Sequence, residues 1–142
     1  MDQRISTITL GVGDLARSRR FYEQGLGWTR GGGADDIAFY QAGGMIVGLY
    51  ERAKLAGDAG LPNDGSGFTR VTLGICVRNS AEVDTLLRQA EAAGARILVS
   101  GRKTFWGGYD AYFADPDGHA WELMWHPGLR MDETGAVFMA ST

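Results

Sequence analysis

The chain has 142 residues, of which 44% are apolar and 22% charged, as is typical of a single globular domain (residues 1–142) with an ordinary core. Fourteen basic and 17 acidic residues give a net charge of −3, and no basic cluster is present to bind nucleic-acid phosphates, which excludes nucleic acid as the main partner. A membrane is excluded too, because no stretch approaches the roughly 20 apolar residues that cross a bilayer.

The first half is predicted to form one strand, one helix and three more strands. Residues 5–12 alternate, with Leu10 and Val12 on one face, which indicates a half-buried strand. Asp14 is the expected N-cap of a short amphipathic helix over residues 15–24. Further strands are predicted over 27–30, 36–41 and 44–51.

The same order of elements returns after a break. Residues 53–67 are rich in Gly, Asp, Asn, Pro and Ser and are interpreted as a linker with, at most, one helical turn. Residues 69–77 alternate again, and Asn79 with Glu82 forms a capping box for a helix that ends at Gly94. Strands are then predicted over 96–100, 108–114 and 119–125.

The order strand, helix, three strands therefore occurs twice, in repeats at about 5–52 and 68–127, followed by a tail over 128–142. The predicted class is α+β, with a mixed sheet in each repeat. A helix covers one face of such a sheet, and the other face must be covered or form a cavity.

Two features of the sequence indicate the cellular compartment of the protein. Cys76 is the only cysteine and cannot form an intramolecular disulfide, which suits a reducing environment. The first four residues lead into an alternating segment and not into an apolar run, so no signal peptide is predicted. We expect a cytoplasmic protein.

Two segments carry a family resemblance. Tyr112–Leu123, with its Asp-Pro-Asp-Gly turn and Trp-Glu-Leu end, resembles the closing hairpin of the glyoxalase/bleomycin resistance protein/extradiol dioxygenase (vicinal oxygen chelate) superfamily. Leu10–Leu15, followed by Phe21-Tyr22 and Leu26-Gly27, resembles its opening segment. The resemblance covers residues 5–127. It implies two βαβββ modules that form a cup-shaped mixed sheet, a small-molecule ligand, and a homodimer.

The resemblance also implies where a metal would bind. Metal enzymes of the superfamily take ligands from four inward positions, which fall here near Thr7, Gly48, Thr72 and Glu122. Of these, only Glu122 could ligate a cation. The two histidines, His119 and His126, both belong to the last strand region, and His126 lies roughly 13 Å from Glu122 at ~3.3 Å per residue. No metal or other cofactor is predicted, a divalent ion being the alternative.

Strand parity extends the inward set. If Ala114 and His119 flank the turn, Phe113 opposes Ala120 and Tyr109 opposes Met124, which places them on the inward face with Glu122. Phe39, Tyr40 and Trp106 are expected at the rim. The predicted ligand-binding residues are Thr7, Thr9, Ile46, Tyr50, Arg70, Thr72, Trp106, Tyr109, Phe113, Glu122 and Met124.

Three functions stay open at this point. The first is a metal-independent protein that binds a small organic ligand, aromatic or cationic, with Glu122 as acceptor or counter-charge. The second is a divergent lyase, isomerase or epimerase that uses Glu122 as acid/base or in a weak metal site. The third is a structural or regulatory dimer with a vestigial pocket, in which Glu122 pairs with Arg70. Cys76 faces inward too, but with no histidine predicted nearby to lower its pKa it is interpreted as a small core-like residue.

Overall fold

The computed structural model describes residues 3, 5, 7–59, 61–65, 67–69 and 71–139. Residue contacts divide the chain into two compact units, Met1–Gly67 and Phe68–Thr142. Across the described ranges, no helix is both long enough and apolar enough to cross a membrane.

The first unit is one βαβββ module with a short extra helix. Its sheet has the order β1-β4-β3-β2, with β1 parallel to β4 and the other pairs antiparallel. The elements are β1 (Thr7–Val12), α1 (Leu15–Arg19), a π-helical turn (Arg20–Gly25), β2 (Arg30–Gly33), β3 (Ile37–Ala42), β4 (Met45–Glu51) and α2 (Arg52–Asp58). Asp14 caps α1 as predicted, its Oδ1 accepting from Arg17 N–H at 2.9 Å. The strand predicted over 27–30 begins only at Arg30.

The core of the first unit lies between its sheet and α1. Leu10 and Val12 of β1 are buried as predicted, and Tyr22 of the π-helical turn is fully buried. Tyr40 is 1% exposed, so its predicted place at a rim is wrong. It pairs with Val47 in the sheet, and parity puts both on the helix-covered face, where Tyr40 donates to Glu23 Oε1 at 3.0 Å.

Glu23 gives the fold a measurable acid dependence. Its carboxylate accepts from Arg19 Nε at 2.8 Å and from the Tyr40 hydroxyl, and the bond with Arg19, foremost, holds the pKa of Glu23 below its ordinary value. A lowered native pKa adds stability that is present above the unfolded pKa, about 4.3, and is lost as the pH falls through the native pKa. We expect Glu23→Gln to reduce the difference in unfolding free energy between pH 7 and pH 3, as measured by urea denaturation at both pH values. An unchanged difference between the two pH values would contradict the assignment.

The second unit repeats the module and adds a hairpin. Its main sheet has the order β5-β8-β7-β6, with β5 parallel to β8. The elements are β5 (Thr72–Cys76), α3 (Ser80–Ala92), β6 (Arg96–Lys103), β7 (Tyr109–Ala114), β8 (Ala120–Trp125), β9 (Leu129–Met131) and β10 (Val137–Met139). Glu82 N–H donates to Asn79 Oδ1 at 3.0 Å, as the predicted capping box requires. The α+β class and the two βαβββ modules are thus confirmed.

Two segments are more ordered than the sequence indicates. The segment interpreted as a linker contains the seven-residue helix α2, and the Arg52 guanidinium donates to the carbonyl oxygens of Asp64 and Gly65 at 3.3 and 3.1 Å. The tail contains the antiparallel β9–β10 hairpin. Helix and hairpin are each stabilised by contacts that local composition does not reveal.

The predicted register of the β7–β8 hairpin is wrong by one residue. Gly118 N–H donates to Asp115 O, Asp115 N–H donates to His119 O, each at 3.0 Å, and Gly118 has a φ of +89°. This is a three-residue loop (residues 116–118) with a left-handed glycine, and it pairs Asp115 with His119, whereas the assumed turn pairs Ala114 with His119. The strands pair as Tyr109 with Trp125, Ala111 with Leu123, Tyr112 with Glu122, Phe113 with Trp121 and Ala114 with Ala120. A slip of one residue moves all of β7 to the opposite face.

The Asp115 side chain holds this loop together. Its carboxylate accepts from the N–H groups of Asp117 and His119, each at 2.9 Å, and contacts His119 Nδ1 at 2.7 Å, while Asp115 is only 3% exposed. Asp115→Ala leaves buried donors without an acceptor and is expected to cost about 2–4 kcal/mol of unfolding free energy. Urea denaturation measures it, with the exposed Asp64→Ala as the control. A loss no larger than the control's would show that the loop does not depend on this carboxylate.

Candidate functional site

The second sheet has one face away from α3 that carries its chemically active side chains. Register places Glu122 beside Gly74 of β5 and Tyr112 of β7, so the three share that face. We term this surface the Glu122 face; it comprises Thr72, Gly74, Cys76, Asp110, Tyr112, Ala114, Ala120, Glu122 and Met124. Glu122 and Met124 are half-buried there.

Tyr112 and Glu122 form the polar centre of this face. Tyr112 pairs with Glu122 in the β7–β8 register, and burial, followed by the interaction with the Glu122 carboxylate, raises the pKa of Tyr112 to about 12. The phenol therefore stays protonated near neutral pH and donates. Sequence reasoning missed Tyr112, because the assumed turn put it on the helix side. The glycine at the end of Asp-Pro-Asp-Gly was the signal from which the three-residue loop could have been predicted.

Cys76 shares this face without the properties of a nucleophile. Burial, with a smaller contribution from the Glu122 charge, raises the pKa of the Cys76 thiol. A raised pKa disfavours the thiolate, which is the reactive form.

Two residues predicted for this face lie on the other one. The Tyr109 hydroxyl contacts both carboxylate oxygens of Asp84 on α3, at 3.1 and 3.2 Å. Phe113 is 1% exposed and stacks on Trp121 with ring centroids 6.2 Å apart. Their predicted orientation is therefore wrong, for the reason of register given above.

The remaining predicted positions of the second unit divide three ways. Thr72 and Met124 lie on the Glu122 face as predicted. Trp106 stacks on His126, with centroids 4.7 Å apart and planes 12° apart. Arg70 lies outside the described residues.

The first sheet has a corresponding face away from α1. Thr7 pairs with Ile46, Thr9 with Gly48 and Gly11 with Tyr50, so the predicted residues Thr7, Thr9, Ile46 and Tyr50 share one face as expected. Thr7 and Thr9 are exposed. We term this surface the Thr9 face.

The Gly48 position on the Thr9 face is filled by a neighbouring ring. A Cβ at Gly48 would lie 3.2 Å from Phe39 Cε1 and 3.4 Å from Thr9 Oγ1. Both separations are tight, so a longer side chain has no room there unless Phe39 moves.

The donor set does not fit a divalent metal. Three of the four positions at which the superfamily places ligands hold Thr or Gly, and the fourth, Glu122, accepts from Tyr112. Both histidines are engaged in local turns: His119 Nδ1 contacts Asp115, and His126 Nδ1 accepts from Gly128 N–H at 2.8 Å. In the described part of the chain, no three His, Cys, Asp or Glu side chains are grouped so that they could hold a metal ion. Asp110 of the Glu122 face accepts from Arg102 Nε at 2.9 Å, and Glu122 alone would make a weak site for such an ion.

Comparison with known proteins decides the family. The family model of the Glyoxalase/Bleomycin resistance protein/Dioxygenase superfamily matches residues 4–123. The chain belongs to this superfamily. A crystal structure of a glyoxalase-related enzyme from Fulvimarina pelagi is 35% identical, covers 98% of this chain and 99% of its own, and has a TM-score of 0.88.

Two further proteins that the chain resembles carry names of enzymes. Glutathione transferase FosA from Serratia marcescens is 29% identical over 124 residues, which are 87% of this chain and 81% of FosA. Lactoylglutathione lyase from Agrobacterium tumefaciens is 20% identical, with a TM-score of 0.68 over 87% of this chain and 94% of the lyase, and it shows the shared fold alone. The resemblance drawn from the two sequence segments is therefore confirmed.

Proposed function

We propose that this superfamily member binds a small organic molecule without a metal, through the Glu122 face. The pairing of Tyr112 with Glu122 on one face of the sheet carries the proposal. A carboxylate can accept several hydrogen bonds, so Glu122 has capacity for a ligand beside Tyr112. The ligand should therefore present a cation or a strong donor.

The surroundings of Glu122 favour a flat ligand. Its register neighbour Gly74 has no side chain, and Ala120 and Ala114 carry only methyl groups. A Cβ at Gly74 would meet only the Met124 methyl, at 3.7 Å. These small residues leave room for a ring beside Glu122, while the second carboxylate of the face, Asp110, is held by Arg102 Nε at 2.9 Å. The face therefore suits an aromatic ring with a cationic substituent. In the first unit, taken by itself, Thr7, Thr9, Ile46 and Tyr50 of the Thr9 face are proposed as ligand-binding residues.

Calorimetry with benzamidine tests the proposal. Benzamidine combines a flat ring with an amidinium that can form a two-point bond to a carboxylate, and benzamide is its uncharged counterpart. We expect saturable binding of benzamidine, weaker or no binding of benzamide, and the same affinity before and after treatment with EDTA. Equal binding of the two compounds, or a requirement for added metal, would refute it.

A second candidate rests on the names of the relatives. The Fulvimarina protein is called a glyoxalase-related enzyme and FosA a glutathione transferase, which favours a divergent lyase, isomerase or epimerase with Glu122 as acid/base. Such an enzyme would exchange carbon-bound protons of a bound carbonyl compound with solvent, an exchange that Glu122→Gln would stop. Deuterium incorporation from D₂O, followed by NMR, separates this candidate from simple binding.

We further propose that the protein works in the cytoplasm as a homodimer. Strands at the ends of a sheet offer unpaired backbone groups to a second chain, and Val137 and Phe138 of β10 are 41% and 50% exposed. Light scattering should give twice the chain mass of 15.3 kDa, and Phe138→Ser should lower it toward one chain. A single-chain mass for the unaltered protein at tens of micromolar would contradict the dimer.

A further inference from the structure

We propose a second binding site, for a small organic anion, in a cavity between the main sheet of the second unit and the β9–β10 hairpin. The cavity has a volume of about 190 Å³. The ends of β5 and β8 contribute Arg78 and His126 to its lining, and β9 contributes Arg130. We term it the arginine cavity.

The charged groups of the arginine cavity favour an anion. Arg78 Nη2 donates to Asp132 O at 2.9 Å, which holds its guanidinium in place. The Arg130 guanidinium forms neither an ion pair nor a hydrogen bond with any described residue. A guanidinium offers its donors in a fork that matches a carboxylate or phosphate.

His126 adds a neutral donor to the two guanidinium groups. Its Nδ1 accepts from Gly128 N–H at 2.8 Å, so the neutral ring carries its proton on Nε2. The stack on Trp106 fixes the ring plane. A fixed N–H donor beside two cations adds direction to the charge attraction.

The two nearby carboxylates, Asp132 and Glu82, accept hydrogen bonds from other groups. Asp132 Oδ1 accepts from Thr134 N–H, Thr134 Oγ1 and Ala136 N–H within its own loop. Glu82 accepts from the backbone N–H of Arg78 and from Asn79 Nδ2. Among the described residues, neither acid forms an ion pair with Arg78 or Arg130.

The remaining lining sets the size and character of the anion. Val77, Trp125 and Met131 give the cavity apolar walls, so the ligand should have an apolar body. The volume is below the ~300–1,000 Å³ of sites for drug-sized ligands, which limits that body to one ring or a short chain. The Glu122 charge reaches Cys76, which lines the cavity. It would repel the anionic group of the ligand toward Arg78 and Arg130.

Benzoate tests the site on the whole chain, with benzyl alcohol as the uncharged counterpart and phenyl phosphate as the second anion. NMR should show saturable shifts of the Trp125 and His126 signals with both anions and not with the alcohol. Arg130→Gln should weaken benzoate binding by about 10-fold, since a bond between charged groups contributes roughly 1.5–3 kcal/mol. Arg130→Lys, which keeps the positive charge but not the forked guanidinium, should weaken benzoate binding less than Arg130→Gln does.

Arg20→Gln is the matched control, because it removes the same charge from an exposed position in the first unit. Equal weakening by Arg20→Gln and Arg130→Gln, equal binding of the alcohol, or no saturable shift would overturn the proposal. Glu122→Gln separates this site from the Glu122 face, because it should leave benzoate binding unchanged or slightly tighter while it weakens binding of benzamidine.

Discussion

Replacing Glu122 by Gln is expected to weaken binding of an aromatic cation by about 10- to 100-fold, because a hydrogen bond to a charged group contributes roughly 1.5–3 kcal/mol. The amide keeps the size of the side chain and removes its charge. Calorimetry with benzamidine measures the loss. Glu91→Gln is the matched control, since Glu91 is exposed on α3 at the opposite face of the same sheet.

The same variant has a second readout that does not need a ligand. Because the Glu122 charge and its hydrogen bond help to raise the pKa of Tyr112 to about 12, Glu122→Gln should move that pKa toward 10. Ultraviolet titration of phenolate, with Tyr112→Phe to identify the signal, follows this change. If the pKa of Tyr112 stayed the same in this variant, the interaction between Tyr112 and Glu122, on which the proposed function depends, would be contradicted.

A large loss of stability, about 3 kcal/mol, is expected for Gly108→Ala, at the upper end of the range for overpacking with backbone shifts. A Cβ at Gly108 would collide with the Trp106 ring and with the carbonyl oxygen of Trp125. The carbonyl belongs to the backbone of β8 and cannot rotate away. The strand or the ring must therefore move.

Gly57→Ala provides the comparison for this prediction. Gly57 lies in α2, and nothing lies within 4 Å of a Cβ placed there, so alanine should stabilise the helix by about 0.5–1 kcal/mol. Thermal and urea unfolding measure both variants. Equal stabilities would show that the crowding at Gly108 relaxes freely. Displacement of Trp106 should also loosen its stack on His126 and weaken benzoate binding.

Alternation and capping signals predict most of this fold, because they depend on neighbours in sequence. The faces of β1 and β5 follow from period-two patterns, and Asp14 and Asn79 cap the predicted helices. The order of elements, repeated twice, then gives the two modules. These features need no knowledge of distant contacts.

The errors in the predicted site arise at the β7–β8 hairpin, where the assumed loop length fixes the face of every residue along β7. The three-residue loop that ends at Gly118 pairs Asp115 with His119 and so reverses the faces of β7, which brings Tyr112 to Glu122 and Tyr109 to Asp84. The predicted faces of β8 and β5 agree with the register, and that of β7 is reversed. The position of the Phe39 ring over Gly48 depends on a side-chain rotamer, which sequence patterns do not specify.

The ring of Phe39 above Gly48 has a consequence for how this chain could change in evolution. A carboxylate or imidazole side chain at position 48 would bring its Cβ to 3.2 Å from Phe39 Cε1, so the ring would have to give way by a few tenths of an ångström. A coordinating residue at this position would therefore carry a packing cost until Phe39 adjusts.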